Sequence, residues 1–173
     1  MADRDEAFSG FVAARSTALL RTAYLLTGDH GRAEDLVQTA LAKTYLAWDR
    51  IDDLGAVEAY VRRAMVTTHI SWWRRLRGRE VSVASLPETA SWADEPGVAL
   101  ERAATWRLLS GLPVKQRTVL VLRYWAGLSE AEIAREMGCA PGTVKTHAAR
   151  GLAALRTRLD AQASLDAADG GAR

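Results

Sequence analysis

One cysteine, Cys139, is all that the 173 residues contain. No internal disulfide and no cysteine-built zinc or iron–sulfur site can form, which favours a reducing compartment over a secreted scaffold. Long apolar runs are missing as well: the longest are stretches such as Val119 to Leu122, and the chain opens acidic and polar from Met1 to Phe11. Neither a membrane span nor a signal peptide is expected, and the place of action expected from that is the cytoplasm. There is no phosphate-binding glycine loop, and the histidines stand without nucleophile partners. The acids Glu34 and Asp35 are adjacent, so a helix would point them in different directions. An enzyme is the poorest reading. His30 has no partner at metal-ligand spacing, so neither a metal nor a cofactor is expected.

What is present is a globular composition, 49% hydrophobic and 25% charged, in a length that suits one ordinary domain or two small ones. The net charge of +2 conceals an uneven distribution. Acidic residues crowd the early part. Ala59 to Arg79 holds none and carries Arg62, Arg63, Arg74, Arg75, Arg77 and Arg79; Gly138 to Leu159 holds none and carries Lys145, Arg150, Arg156 and Arg158. Two separated basic surfaces suggest one polyanion touched twice.

Apolar residues recur at helical spacing, strict alternation is hard to find, and the fold class expected is all-α. Phe8, Phe11, Val12, Leu19, Ala23 and Leu26 form one stripe, closed by Gly28. Ala33, Val37, Ala40, Leu41, Thr44 and Trp48 form a second that opens near Asp29, and Val57, Val61, Ala64, Met65, Thr68 and Trp72 form a third. These helices predict a bundle over 1–77. Over 78–98, Pro87, Pro96, serines and acids interrupt the pattern, which reads as a flexible linker. A second small helical domain is expected over 99–160. The tail 161–173, poor in large apolar residues, is expected to fray.

Ser129-Glu130-Ala131-Glu132 matches a capping box and predicts a helix from Glu130 to Met137. Gly138 ends it, Cys139 and Ala140 turn the chain, and Pro141 stands at the first position of a new helix, where a missing amide hydrogen costs nothing. Ala134, Gly138 and Val144 supply the small, turn and apolar positions of a helix-turn-helix. Burying Val144, Ala148, Leu152 and Leu155 leaves Thr143, Lys145, Thr146, His147 and Arg150 facing outward. A helix entering the major groove needs such small, polar and basic side chains and no carboxylate. Ala140 lacks the oxygen usual at a helix N-cap, a loss of roughly 1 kcal/mol. At this motif alone, an ordinary helical hairpin with a solvated basic face reads the same way.

The segments Ala33-Glu34-Asp35-Leu36-Val37-Gln38 with Trp48, Ala59 to Arg75, Leu112-Pro113 with Gln116-Arg117, Leu128-Ser129-Glu130-Ala131-Glu132-Ile133-Ala134 and Pro141-Gly142-Thr143-Val144-Lys145 occur in that order. Together they resemble bacterial RNA polymerase sigma factors of the extracytoplasmic-function type, most of all the actinobacterial SigE-like family, over nearly the whole chain. The resemblance implies a region-two bundle and a region-four helix-turn-helix joined by a flexible linker. It implies as partners the RNA polymerase core (the clamp of the beta-prime subunit and the flap of the beta subunit), promoter DNA and, in many members, an anti-sigma factor, with no membrane insertion. Carried onto this sequence, the polymerase contact falls on Asp35, Gln38, Leu41 and Lys43, although a solvated helix face would show the same residues. The minus-ten contact falls on Arg62, Arg63, Thr67, Thr68, His69, Trp73, Arg74 and Arg75, and the minus-thirty-five contact on Thr143, Lys145, Thr146, His147 and Arg150.

Two positions depart from the family's pattern. Thr67 stands where an asparagine beside a flipped-out base is common, and His147 stands where arginine is frequent; a neutral imidazole hydrogen-bonds a base but neutralises no phosphate. Trp73 beside Arg74 and Arg75 pairs an aromatic face with cations, as single-stranded DNA favours, whereas Trp72 continues the apolar stripe and suits the core. The function implied is promoter-specific initiation by a sigma factor that binds core polymerase. The alternative is a free-standing helix-turn-helix regulator with an N-terminal sensor domain, for which the arginines and Trp73 of the acid-free first stretch would have no use.

Overall fold

Asp29 and Gly28 together set the first corner of the chain. Gly28 takes a positive φ of 73° and donates its N–H to Tyr24 O at 2.7 Å. The Asp29 carboxylate then accepts from Arg32 N at 2.8 Å and caps the next helix. In this computed structural model, which describes residues 2–51, 53–76 and 96–170, such corners divide a chain whose regular elements are all helical. They are α1 (Ala2–Thr27), α2 (His30–Ala47) with a short 3-10 turn (Trp48–Arg50), α3 (Leu54–Leu76), α4 (Pro96–Leu109), α5 (Val114–Leu120) running into a π-helical turn (Val121–Trp125), α6 (Glu130–Met137) and α7 (Pro141–Gly170). Most of the linker expected over 78–98 lies outside the described residues; α4 already begins at Pro96, where proline is favoured in a first turn.

The tail differs from its expectation. Residues 161–170 continue α7 as helix, although 161–165 are exposed throughout. No glycine or proline interrupts 161–169, and alanine and leucine carry high helix propensity, so the helix propagates without packing.

The predicted stripes are buried on α1, α2 and α3, with Phe11, Leu19, Ala23, Leu36, Val37, Ala40, Val57, Val61 and Met65 in one core. That core does not stop at the first unit. Leu109, Leu112, Leu120 and Val121 belong to it, while Val66 of α3 sits in the other core with Val119, Leu122, Ile133 and Val144. The two helical units therefore pack on each other rather than standing apart.

The second unit is built around the expected turn. Ser129 accepts from Glu132 N, and the Glu132 carboxylate reaches back to Ser129 N at 2.8 Å. At the other end of α6, Gly138 is left-handed with φ 63° and Cys139 N donates to Ala134 O at 3.0 Å, closing the helix. Ile133 and Ala134 of α6 and Val144 and Ala148 of α7 are buried where the helices cross.

Candidate nucleic-acid interface

The outward face of α7 is the plainest surface. Thr143, Lys145, Thr146 and Arg150 are exposed, and Val144, Ala148 and Gly151 beneath them are buried. Gly151 lies against α5, where an added Cβ would meet Leu120 Cδ1 at 2.9 Å; this contact seats the helix. His147 is half-buried, with Nδ1 shielded from solvent and unpartnered among the described residues. Burial first, then Lys115 and Arg150, push its pKa below the ordinary 6.5, so the imidazole is neutral at physiological pH. The face presents cations, hydroxyls and one neutral ring, which can contact phosphates and base edges.

On α3 the candidate residues divide. Arg63, Thr67, Arg74 and Arg75 are exposed and Trp73 is half-buried. Thr68 and His69 are buried; Thr68 Oγ1 accepts from Lys43 Nζ at 2.8 Å, so the lysine expected on the polymerase face bridges back to α3. His69 lies at the seam between the units. Its pKa falls to about 4 because of burial and then the guanidiniums of Arg117 and Arg32, and Nε2 is buried without a partner among the described residues. Arg62 is also drawn to the seam: Nε donates to Glu136 Oε1 at 3.0 Å and Nη1 to Glu58 Oε1 at 3.1 Å. A cleft of about 350 Å³ opens there, lined among others by Arg32, Asp35, His69, Trp73, Arg75 and Arg117. It brings the two indoles Trp72 and Trp73 beside guanidiniums contributed by both units.

On α2, Asp35 and Gln38 are exposed, while Leu41 is half-buried against the core. Spacing of 3, 7 and 11 residues from Asp35 places Gln38, Ala42 and Leu46 on one helix stripe. All four are exposed, Leu46 to 76%. Leu46 was not among the expected contacts, because its place on an outward stripe shows only once the buried face is known.

Two further groups escaped the sequence. The π-helical turn, with Ala126 N bonded to Val121 O at 3.1 Å, throws Tyr124 and Trp125 outward at 62% and 47% exposure. Arg117 is buried, donating to Leu26 O at 3.1 Å and lying 5.0 Å from the Trp106 ring centre. Burial pulls its pKa down to about 10, so it stays charged.

Comparison with known proteins gives a consistent pattern. Residues 11–79 match the profile of sigma-70 region 2, and residues 102–155 match that of sigma-70, region 4. The RNA polymerase sigma-E factor of Streptomyces avermitilis is 42% identical over 160 residues, covering 92% of this chain and 88% of its own. The ECF RNA polymerase sigma factor SigL of Mycobacterium tuberculosis is 33% identical over 152 residues, 83% of this chain and 84% of its own. Among solved structures, the sigma factor RpoE of Bartonella quintana, determined with the anti-sigma factor NepR, superposes with a TM-score of 0.70 at 25% identity, covering 90% of this chain and 98% of that one.

Proposed function

This chain belongs to the extracytoplasmic-function sigma factors of bacterial RNA polymerase, and from that premise we propose how its surfaces divide the work. It binds RNA polymerase core and directs promoter-specific initiation through two DNA-reading units. It acts where polymerase acts, in the cytoplasm, and it supplies no chemistry of its own. No helix among the described residues is long and apolar enough to cross a membrane. The exposed stripe Asp35, Gln38, Ala42 and Leu46 docks on the clamp, with an apolar contact at its end as interface cores favour. The exposed pair Tyr124 and Trp125 offers the second unit an apolar patch for the flap. An anti-sigma factor is a further partner, as in the solved Bartonella complex.

The α7 face reads the minus-thirty-five element, with Lys145 and Arg150 toward phosphate or guanine and Thr143, Thr146 and neutral His147 toward base edges. The α3 side reads the minus-ten element through Arg63, Thr67, Trp73, Arg74 and Arg75; of the other residues expected there, Thr68 and His69 are buried and Arg62 is paired with Glu136 and Glu58. The observation that carries this assignment is the two basic stretches without acidic residues on separate units, one a recognition helix and the other joining an accessible indole to exposed arginines.

The primary test is transcription from a defined start by protein plus core when neither works alone; its failure would remove the function. Strand opening then tests the α3 surface, since stacking on an indole is worth about 1 to 3 kcal/mol per base. Trp73→Ala should leave closed-complex formation nearly intact and reduce permanganate reactivity of unpaired thymines, partly or largely rescued by a pre-melted minus-ten bubble. Normal reactivity in that variant would take Trp73 out of the interface.

A further inference from the structure

Arg117 is a cation that the fold buries without a counter-ion. It is only 4% exposed, and its hydrogen bonds go to carbonyls: Nε donates to Leu26 O at 3.1 Å and Nη1 to Leu112 O at 3.4 Å. Among the described residues no carboxylate pairs with it, although it stays charged at neutral pH. A buried charge with only neutral partners is costly, and an anion brought to it offsets that cost. The cleft of about 350 Å³ that it lines gathers two more guanidiniums, Arg32 of α2 and Arg75 of α3, neither of them ion-paired among the described residues. Asp35 is the one carboxylate among its described lining residues. His69 lines it too, 5% exposed, with Nε2 lacking a partner among the described residues. Burial, then Arg117 and Arg32, keep that imidazole neutral, so the nitrogen donates or accepts according to tautomer. Trp72 and Trp73 add indole surface to the wall.

We propose that this cleft binds a free nucleoside polyphosphate, with its phosphates on Arg32, Arg75 and Arg117 and its base against the indoles near His69. The two halves of the ligand match the two kinds of wall. Guanidiniums bind phosphate oxygens through paired N–H donors, and a base stacks on an aromatic face. The volume falls within the roughly 300 to 1,000 Å³ of small-molecule sites. A continuous strand suits the inner groups less well, because Arg117 and His69 are buried and a polymer needs room to enter and to leave. Inorganic polyphosphate shares the phosphate chemistry but makes no use of the indoles. The site goes beyond promoter recognition: Arg32 and Arg117 belong to neither DNA surface, and only Trp73 and Arg75 are shared with the minus-ten side.

Isothermal titration calorimetry of the full chain with ATP, GTP, tripolyphosphate and adenosine tests this. ATP and GTP should bind at one site per chain, and tripolyphosphate and adenosine about tenfold more weakly, since each lacks half of the contacts. Arg32→Gln removes a charge outside both DNA surfaces and breaks no ion pair among the described residues; it should weaken ATP about tenfold, and Arg32→Lys should keep part of the affinity. Trp73→Ala should weaken ATP and leave tripolyphosphate unchanged. Arg156→Gln, at an exposed cation of α7 away from the cleft lining, should bind ATP as the parent does, with circular dichroism showing native helical content in every variant. Absence of binding at about 1 mM ATP would overturn the site. Equal losses in Arg32→Gln and Arg156→Gln would also overturn it, as the mark of general attraction to a basic protein. Tripolyphosphate binding as tightly as ATP would overturn the assignment to a nucleotide. A single-stranded oligonucleotide that loses as much affinity as ATP on Arg32→Gln would give the cleft to the DNA strand instead.

Discussion

His69 shows how a single side chain reports its surroundings. Its ordinary pKa of 6.5 falls to about 4 in the folded chain, so the folded state resists a proton that the unfolded state accepts. Stability from the neutral imidazole is complete above pH 6.5 and is lost as pH falls toward 4, by about 3 kcal/mol if this group acted alone. Glu136 works in the opposite sense, because burial outweighs Arg62 and raises its pKa. Urea denaturation across about pH 7 to 4 should therefore show an acid loss that His69→Gln flattens; an unchanged slope would mean that His69 is solvated. On the outward face of α7, Lys145→Ala and Arg150→Ala distinguish the two kinds of contact. Loss of a phosphate contact lowers affinity on every sequence and reduces the salt slope by about 0.9, whereas loss of a base contact costs roughly 1 to 3 kcal/mol on the preferred site alone. If neither substitution changes promoter affinity of the holoenzyme, α7 is not the reader.

At the scale of the elements, two glycines that end helices in the same way serve different ends. Gly28 and Gly138 both have positive φ, 73° and 63°. Replacing either with alanine strains the backbone by about 1 to 2 kcal/mol. Gly138 has open space where a Cβ would go, but Gly28 has the Trp106 ring there. Gly28→Ala should be the more destabilising in thermal unfolding and should loosen α4 from α1, while Gly138→Ala should cost the strain alone. Equal losses would mean that Trp106 can move aside freely. The helices also differ in how many faces they bury. The stripe on α3 that faces α1 and α2 was evident from Val57, Val61, Ala64 and Met65, but Val66 and His69 occupy a second buried face, turned to the other unit.

For the whole molecule, the consequence is that two separate surfaces are presented on helical units that share their cores. The outward stripe on α2 and the outward face of α7 are exposed together, so each can be tested by substitution without disturbing the other. Asp35→Arg should weaken co-purification with core while leaving helical content and the unfolding midpoint in place. Leu46→Ser should act similarly if the stripe ends in an apolar contact. Undiminished core binding by both folded variants would move the clamp contact away from this stripe.

Sequence alone determined the local features, because they depend on spacing and on residues within a few positions of each other. The three stripes of the bundle, the corner at Gly28 and Asp29, the capping box at Ser129, the left-handed Gly138 and the outward set on α7 are all satisfied by backbone geometry within a helix or turn. Only the tertiary structure decided which faces of α3 are buried, that Arg62 is paired with Glu136, that Lys43 reaches Thr68, and that Leu46, Tyr124 and Trp125 stand exposed. Those outcomes depend on contacts between residues as far apart as Arg62 and Glu136. Helical periodicity records that a side chain is apolar or charged, but a second buried face mixing Val66 with His69 has no period of its own to read. An arginine suited to a phosphate is suited to a carboxylate by the same chemistry, and only the path of the chain brings one of them within reach.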